Sequence, residues 1–402
     1  MRKILPFTLL ILILTSITLP AQAIGVPRSF TFTGSGFGHG VGLSQIGAKG
    51  QALSGKSAQD ILQYYFPGTS LTTVDDSSTI RVNVAHQVTT VSVTMNKAFP
   101  DGKLQVIPGD IPIDSPSNFP FLTKPTVTFT LIDTEAAAST AYTTAPVWTV
   151  RWSGTSALDG PDSVVNVNAP GTSLSLHYGQ IQVRTIPVPG QGYRIEVTDT
   201  LRLGDEYMYG VGEVRASWPL EAIKAQVIAS RTYALAHTGQ VRPICDCNVY
   251  SSKYDQVYIG YAKELDPSYL SNFKLAVDQT RGMAIYYQGA LINVYFSSST
   301  GGFTQRSQDV WGTAFPYLVS VPDPWSLDAT LNPGYARWVR KVPQSDMSSA
   351  FGLPNIVRVK IGARTATDSV LYVTGYSLDG RSKTLPVGTF KTAVHLPSSW
   401  FH

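Results

Sequence analysis

Gly212-Glu213-Val214-Arg215-Ala216-Ser217-Trp218-Pro219 runs directly into Leu220-Glu221-Ala222-Ile223-Lys224-Ala225-Gln226-Val227-Ile228-Ala229-Ser230-Arg231-Thr232-Tyr233-Ala234-Leu235-Ala236. Pro219 suits a first helical turn, where its missing N–H removes no hydrogen bond, and Ser217 is placed to cap that turn. Leu220, Ile223, Val227 and Ala234 share one helical face while Lys224, Gln226 and Arg231 lie off it, so the spacing predicts an amphipathic helix. Glu213 precedes that helix. The helix's positive end pulls its pKa down, whereas glycine and apolar neighbours desolvate the carboxylate and push it up. A carboxylic acid kept protonated near neutral pH can donate its proton to the leaving oxygen of a glycosidic bond.

Upstream, residues 78–204 read as β structure. Thr79-Ile80-Arg81-Val82-Asn83-Val84, Val91-Ser92-Val93-Thr94-Met95 and Gln180-Ile181-Gln182-Val183-Arg184 alternate apolar and polar, with Gly, Pro, Asp and Asn turns between the runs. Further upstream, Phe30-Thr31-Phe32-Thr33 alternates in the same way and leads into Gly34-Ser35-Gly36-Phe37-Gly38-His39-Gly40-Val41-Gly42. Alternate glycines remove Cβ atoms and let another backbone or a ligand approach closely. Two short helices follow, at Leu43–Ala48 and Asp60–Phe66, the second stopped by Pro67-Gly68. Downstream, a helix is expected over Tyr269–Gln279, strand over 283–300, and a closing pair of strands over Val357–Val373. The fold class is α+β, with helices interrupting antiparallel sheets.

The chain has 402 residues, 43% hydrophobic and 14% charged, with 34 Gly and 26 Pro. It is long enough for a sizeable core and too apolar for disorder. The formal net charge of +4 falls to +2 once Arg2 and Lys3 are set aside, and no run of like charges suggests a nucleic-acid partner. Arg2 and Lys3 introduce an apolar stretch, Ile4–Leu19, that ends in Pro20-Ala21-Gln22-Ala23. This is the pattern of a secretory signal peptide over 1–23, too short and interrupted for a membrane span. A secreted or cell-wall location is expected, with no membrane span after cleavage.

Four motifs resemble the sporulation stage II protein D (SpoIID/LytB-type) family: the stretch quoted first; Ser251–Tyr261, with Gln256-Val257-Tyr258-Ile259-Gly260; Tyr295-Phe296-Ser297-Ser298-Ser299-Thr300-Gly301-Gly302; and Gly38-His39-Gly40-Val41-Gly42-Leu43-Ser44-Gln45-Ile46-Gly47-Ala48, followed by Tyr64-Tyr65-Phe66-Pro67-Gly68-Thr69. Two departures stand out. Val214-Arg215 replaces the family's Met-Pro, and the Gly-His-Gly box comes first instead of last, which resembles a circular permutation. The implied organisation is a permuted segment over 24–77, a β-rich part over 78–204 flanking the cleft, and a catalytic core over 205–402. The permutation predicts that Phe30–Phe32 packs beside the C-terminal strand and delivers His39 to the cleft that holds Glu213.

The resemblance implies a peptidoglycan lytic transglycosylase cleaving the β-1,4 bond between N-acetylmuramic acid and N-acetylglucosamine to leave 1,6-anhydro ends. The alternative is a non-catalytic wall-binding protein that enhances a separate amidase. Glycan strands are the expected partner, with an amidase or other wall hydrolase beside them. Glu213 would act as acid and then base, with no cofactor required. Hydrolysis would need a second carboxylate; Asp255 and Asp309 are the nearest by motif, and both read as solvated surface. His39, Gln45, Lys224, Arg231, Ser298, Ser299, Thr300, Gly301 and Gly302 are the substrate-binding candidates, and Trp218, Tyr233, Trp311 and Tyr317 could stack on sugar rings or sit in the core. Cys245 and Cys247 are the only cysteines. In an extended strand their Cα atoms would stand about 6.6 Å apart, near the limit for a disulfide. The resemblance adds a structural zinc held by His237, Cys245 and Cys247, so zinc, a bridge and a free pair all remain open.

Overall fold

The computed structural model describes residues 25–116 and 118–402; the signal-peptide reading lies outside them. Among the described residues no helix is long and apolar enough to cross a membrane. The β-rich part forms two six-stranded sheets. One runs in the order Val249–Tyr250, Thr79–Val88, Gly192–Arg202, Gln180–Val188, Val147–Trp152, Leu104–Pro108. The other runs Thr172–Leu176, Val165–Ala169, Thr90–Met95, Thr126–Ile132, Glu135–Ala138, Thr144–Ala145. Pairing is antiparallel throughout except where Val249–Tyr250 joins parallel to Val82 and Asn83. Alternating valines and isoleucines from both sheets bury into one shared core, as period-two patterning requires.

Three helices build the part beneath the cleft: α1 (Gln45–Leu53), α2 (Ala58–Tyr65) and α3 (Leu220–His237). α2 begins with a reciprocal capping box between Ser57 and Asp60. Contrary to expectation, Ser217 makes no capping bond to α3, which starts after Pro219 without a side-chain cap. The one-faced reading of α3 also fails. Ile223, Val227 and Ala234 enter the sheet core, while Ala222, Ala225, Ile228 and Ala229 enter a second core with Val41, Leu43, Ile61, Leu62 and Tyr65. Gln226 and Arg231 are buried as well. Lying between two cores, α3 uses its alanines to let both approach closely.

The expected helix at Tyr269–Gln279 is present as a wide turn, Tyr269–Lys274, continued by Leu275–Gln279. Strands Ile356–Ile361, Tyr372–Ser377 and Ser382–Pro386 form a separate sheet, one strand more than the sequence suggests, packed on a third core. The first strand, Ser29–Ser35, pairs antiparallel with Trp338–Pro343 and, through Gly34 and Ser35, with Phe401 and Trp400. The two ends of the described chain therefore meet in one sheet, directly before the glycine-rich segment.

Candidate active site

Glu213 is held by its own loop and the segment facing it. Gly212 N–H donates to Val257 O at 2.7 Å, Ile259 N–H donates to Gly210 O at 2.8 Å, and Val257 N–H donates to Glu213 Oε1 at 2.7 Å. Gln256, at the head of the Gln-Val-Tyr element, donates to Ser230 O of α3. The motif thus ties the glutamate loop to the helix behind it. Gln45, the first residue of α1, donates from Nε2 to Glu213 Oε2 at 3.2 Å. Lys263 donates its ammonium to Val214 O, and burial lowers its pKa to about 8. Glu213's own pKa is raised. Burial is the largest cause, and it outweighs the opposing hydrogen bonds from Val257 and Gln45 and the charge of Lys263.

The carboxyl opens onto a groove on two sides. One cavity, about 490 Å³, is lined by Glu213, Gln45, His39, Asp255 and Ser298 under a rim of Phe37, Tyr233, Tyr254, Tyr295 and Trp311. The other, about 320 Å³, continues past Glu213, Gln45 and Ser298 to Trp218, Lys263 and Asp266. Ser297 also lines the larger cavity, and its buried hydroxyl has no hydrogen-bond partner among the described residues.

The glycine-rich segment forms the opposite wall. Its backbone is laced to the serine loop: Phe37 N–H to Ser299 O, Ser299 N–H to Phe37 O, Leu43 N–H to Tyr295 O and Ile46 N–H to Ser298 O. His39 Nδ1 accepts from Val41 N–H at 3.0 Å. Burial is the largest cause driving its pKa down to about 4, with nearby Lys391 contributing. The ring is therefore neutral at physiological pH, its Nδ1 acting as an acceptor within its own loop, and its edge meets Tyr295 and Trp311.

Several expected positions lie elsewhere. Lys224 pairs with Glu221 at 2.7 Å on the side of α3 near α2, because three residues along a helix bring these side chains together. Arg231 is fully buried, bonded to Asp76 at 2.9 Å and to Thr280 O at 2.7 Å. Of the serines and threonine of the serine loop, only Ser297 and Ser298 line the groove. Ser299 and Thr300 are buried, and Thr300 Oγ1 donates to the buried Asp323 at 2.7 Å. Gly301 packs under the indole of Trp400 and Gly302 near Leu327. These glycines give room to side chains rather than contacts to a sugar.

Asp255 is not solvated surface. Arg242 Nη2 contacts both its oxygens at 2.8 Å, Tyr233 Oη donates to it at 2.6 Å and Tyr250 N–H at 2.7 Å. Despite burial, these bonds hold its pKa below the usual value. Asp309 pairs with Arg306 at 2.9 Å. Among the aromatic candidates Tyr233 and Trp311 line the larger cavity and Trp218 the smaller, while Tyr317 is buried in the second core.

The zinc set is not assembled. Cys245 and Cys247 are joined in a disulfide, with Cα atoms 5.1 Å apart. Asp246 between them takes a left-handed backbone, φ 49°, which shortens the span below that of a strand. His237 Nδ1 is bonded to Tyr233 O at 2.7 Å. Among the described residues no three His, Cys, Asp or Glu side chains are grouped to hold a metal.

Sequence reasoning missed Phe37, Tyr254, Tyr295 and Lys263. Phe37, Tyr254 and Tyr295 stand inside quoted stretches, so their position was the available signal. Lys263 carries none.

Residues 192–287 match a protein-family model described as SpoIID, Stage II sporulation protein. The chain is 43% identical over 111 residues to the amidase enhancer of Bacillus subtilis, covering 28% of this chain and 14% of that protein. It is 33% identical over 132 residues to stage II sporulation protein D of Bacillus amyloliquefaciens, 30% of this chain and 38% of the relative. An uncharacterized protein of Brachyspira hyodysenteriae is 37% identical over 121 residues, 29% and 31% of the two chains. The chain thus spans well under half of each of these relatives. No solved structure matches.

Proposed function

With the chain a member of the SpoIID-type family through residues 192–287, we propose that it is a secreted peptidoglycan lytic transglycosylase. The observation that carries this reading is the Glu213 carboxyl, pushed above its ordinary pKa, in a groove that continues on both sides of it. A polymer can lie along such a groove with one linkage over the carboxyl. Glu213 protonates the glycosidic oxygen as the C1–O bond breaks. The resulting carboxylate takes the proton of the C6 hydroxyl as O6 bonds to C1. The proton count closes, no water is consumed, and one product carries the 1,6-anhydro ring. Asp255, held by Arg242, Tyr233 and Tyr250, supports this over hydrolysis because its lone pairs are already engaged. Gln45 and Val257 N–H fix the two Glu213 oxygens, and the unpaired Ser297 hydroxyl suits a sugar oxygen. The permuted order belongs to the same proposal, supported by the pairing of Gly34 and Ser35 with the last strand.

A second reading rests on the relative named amidase enhancer: a wall-binding protein that assists an amidase. Purified glycan strands, with and without stem peptides, incubated with the mature protein and read by mass spectrometry, separate the two. The transglycosylase releases anhydro-ended sugars, and Glu213→Gln reduces their release by about 10² to 10⁴ in rate while wall binding persists. No anhydro product from the wild type overturns the enzyme and leaves the enhancer.

A further inference from the structure

A third cavity of about 480 Å³ opens beside the larger one, and Tyr254 lines both. It lies where the β-rich part, read from sequence only as flanking the cleft, meets the Tyr250–Tyr254 turn. Its walls are Asn83 to His86, Thr172 and the turn from Tyr250 to Tyr254.

The cavity is built on fixed groups. Beneath it the Glu196 side chain is fully buried, accepting from Asn83 Nδ2 at 2.7 Å and Gln87 N–H at 3.1 Å, and bonded to His86 Nδ1 at 2.9 Å. With Nδ1 committed to the carboxylate, His86 has Nε2 left for the cavity, on a ring 40% exposed. Tyr250 packs edge-on to His86 at 5.3 Å and meets Tyr254 at 6.5 Å. The turn that carries Tyr254 is pinned at both ends: Ser251 N–H donates to Asn83 O, and Asp255 accepts from Tyr250 N–H. Tyr254 itself is 82% exposed, an aromatic face held on the ridge between two cavities with little of its surface covered. Aromatic faces with a few oriented amide, imidazole and hydroxyl groups are what a neutral sugar ring requires, since its C–H face stacks and its hydroxyls need directed partners.

We propose that the glycan groove crosses Tyr254 and that this cavity is a distal subsite for a further sugar ring of the same β-1,4-linked N-acetylated strand. The proposal rests on the transglycosylase reading for the identity of the strand, not for the existence of the site. It makes the β-rich part the reader of strand length.

The test measures binding of β-1,4 N-acetylglucosamine oligomers, dimer to octamer, to the full mature protein by calorimetry. Affinity rises with length past the rings that fill the cavity at Glu213. Thr172→Trp, at a half-exposed residue that lines only the distal cavity, fills it and removes the gain of the longer oligomers while leaving the shorter ones unchanged. Tyr254→Ala weakens the longer oligomers by about threefold to tenfold. Affinity that stops rising at short oligomers, or a Thr172→Trp protein that binds all lengths as the wild type does, overturns the subsite even if anhydro sugars are released. Length-dependent binding lost in Thr172→Trp without anhydro product keeps the subsite and sinks the enzyme instead.

Discussion

At the scale of single residues the protein turns on how burial treats four ionisable groups. Desolvation raises Glu213, lowers Lys263 to about 8 and lowers His39 to about 4, while Asp255 escapes because it is paired and triply bonded. A raised carboxyl has a pH signature with a definite sign. Below the ordinary glutamate pKa the side chain is protonated in folded and unfolded chains alike, and folding is not penalised. As pH rises through the raised folded value, the unfolded chain ionises more readily and stability is lost. Glu213→Gln therefore gains melting temperature over the wild type at pH 7 to 8, and little of that gain survives at pH 4. Equal gains at both pH values would mean the carboxyl is not desolvated. If the protein is the transglycosylase proposed above, the same ionisation sets the alkaline limb of its kcat/KM, since the proton to be donated is gone above it.

Elements in this fold are held by what their glycines admit. Gly34, Gly40 and Gly301 come from two segments far apart in sequence, yet a Cβ on any of them would lie within 2.5 Å of Trp400. While Gly34 of the first strand gives room to the Trp400 backbone oxygen and the Trp338 ring, the Trp400 indole is the wedge on which the His39 loop and the serine loop close at Gly40 and Gly301. Its Nε1 donates to Thr367 O at 3.0 Å, and the residue is only 5% exposed. Trp400→Ala leaves a cavity among backbones that cannot collapse inward, and costs about 3–5 kcal/mol in guanidinium unfolding. Under the proposed transglycosylase reading, sugar release falls with it as the walls of the groove loosen. An unchanged unfolding midpoint would show that the glycines serve something other than this packing. Arg231 shows the complementary lesson: its place in a helix with a strong motif made it a ligand candidate, whereas its position between Asp76 and Thr280 makes it a brace.

For the whole molecule, the disulfide turn marks where the β-rich part meets the rest. Asp246 accepts from Arg81 at 3.0 Å and pairs with Arg184 at 2.9 Å, and both arginines also reach Asp110. The bridge therefore acts by aiming one carboxylate at two strands, Thr79–Val88 and Gln180–Val188, that flank Gly192–Arg202 in the same sheet. Thiol titration of the unfolded protein without reductant should find no free thiol, and metal analysis no bound zinc. Replacing both cysteines by serine should cost about 1.5 kcal/mol, because so short a loop removes little chain entropy. Free thiols with stoichiometric zinc would restore the metal reading.

Local pattern alone determined the alternating strands of the β-rich part, the helix after Pro219 and the glutamate ahead of it, since side-chain periodicity and turn chemistry act over a few residues. Glu213, His39 and Gln45 were legible because they sit in motifs that fix both residue type and spacing. Only tertiary structure decided that Gln45 would touch Glu213 across 168 positions, that Asp255 would be buried and bonded, that Thr300 and Gly301 would serve packing, and that Tyr254 would stand on a ridge. Each of those outcomes depends on which distant backbone arrives alongside. Burial and pairing, which set both pKa and role, are properties of that arrival and are not written in any short stretch of chain.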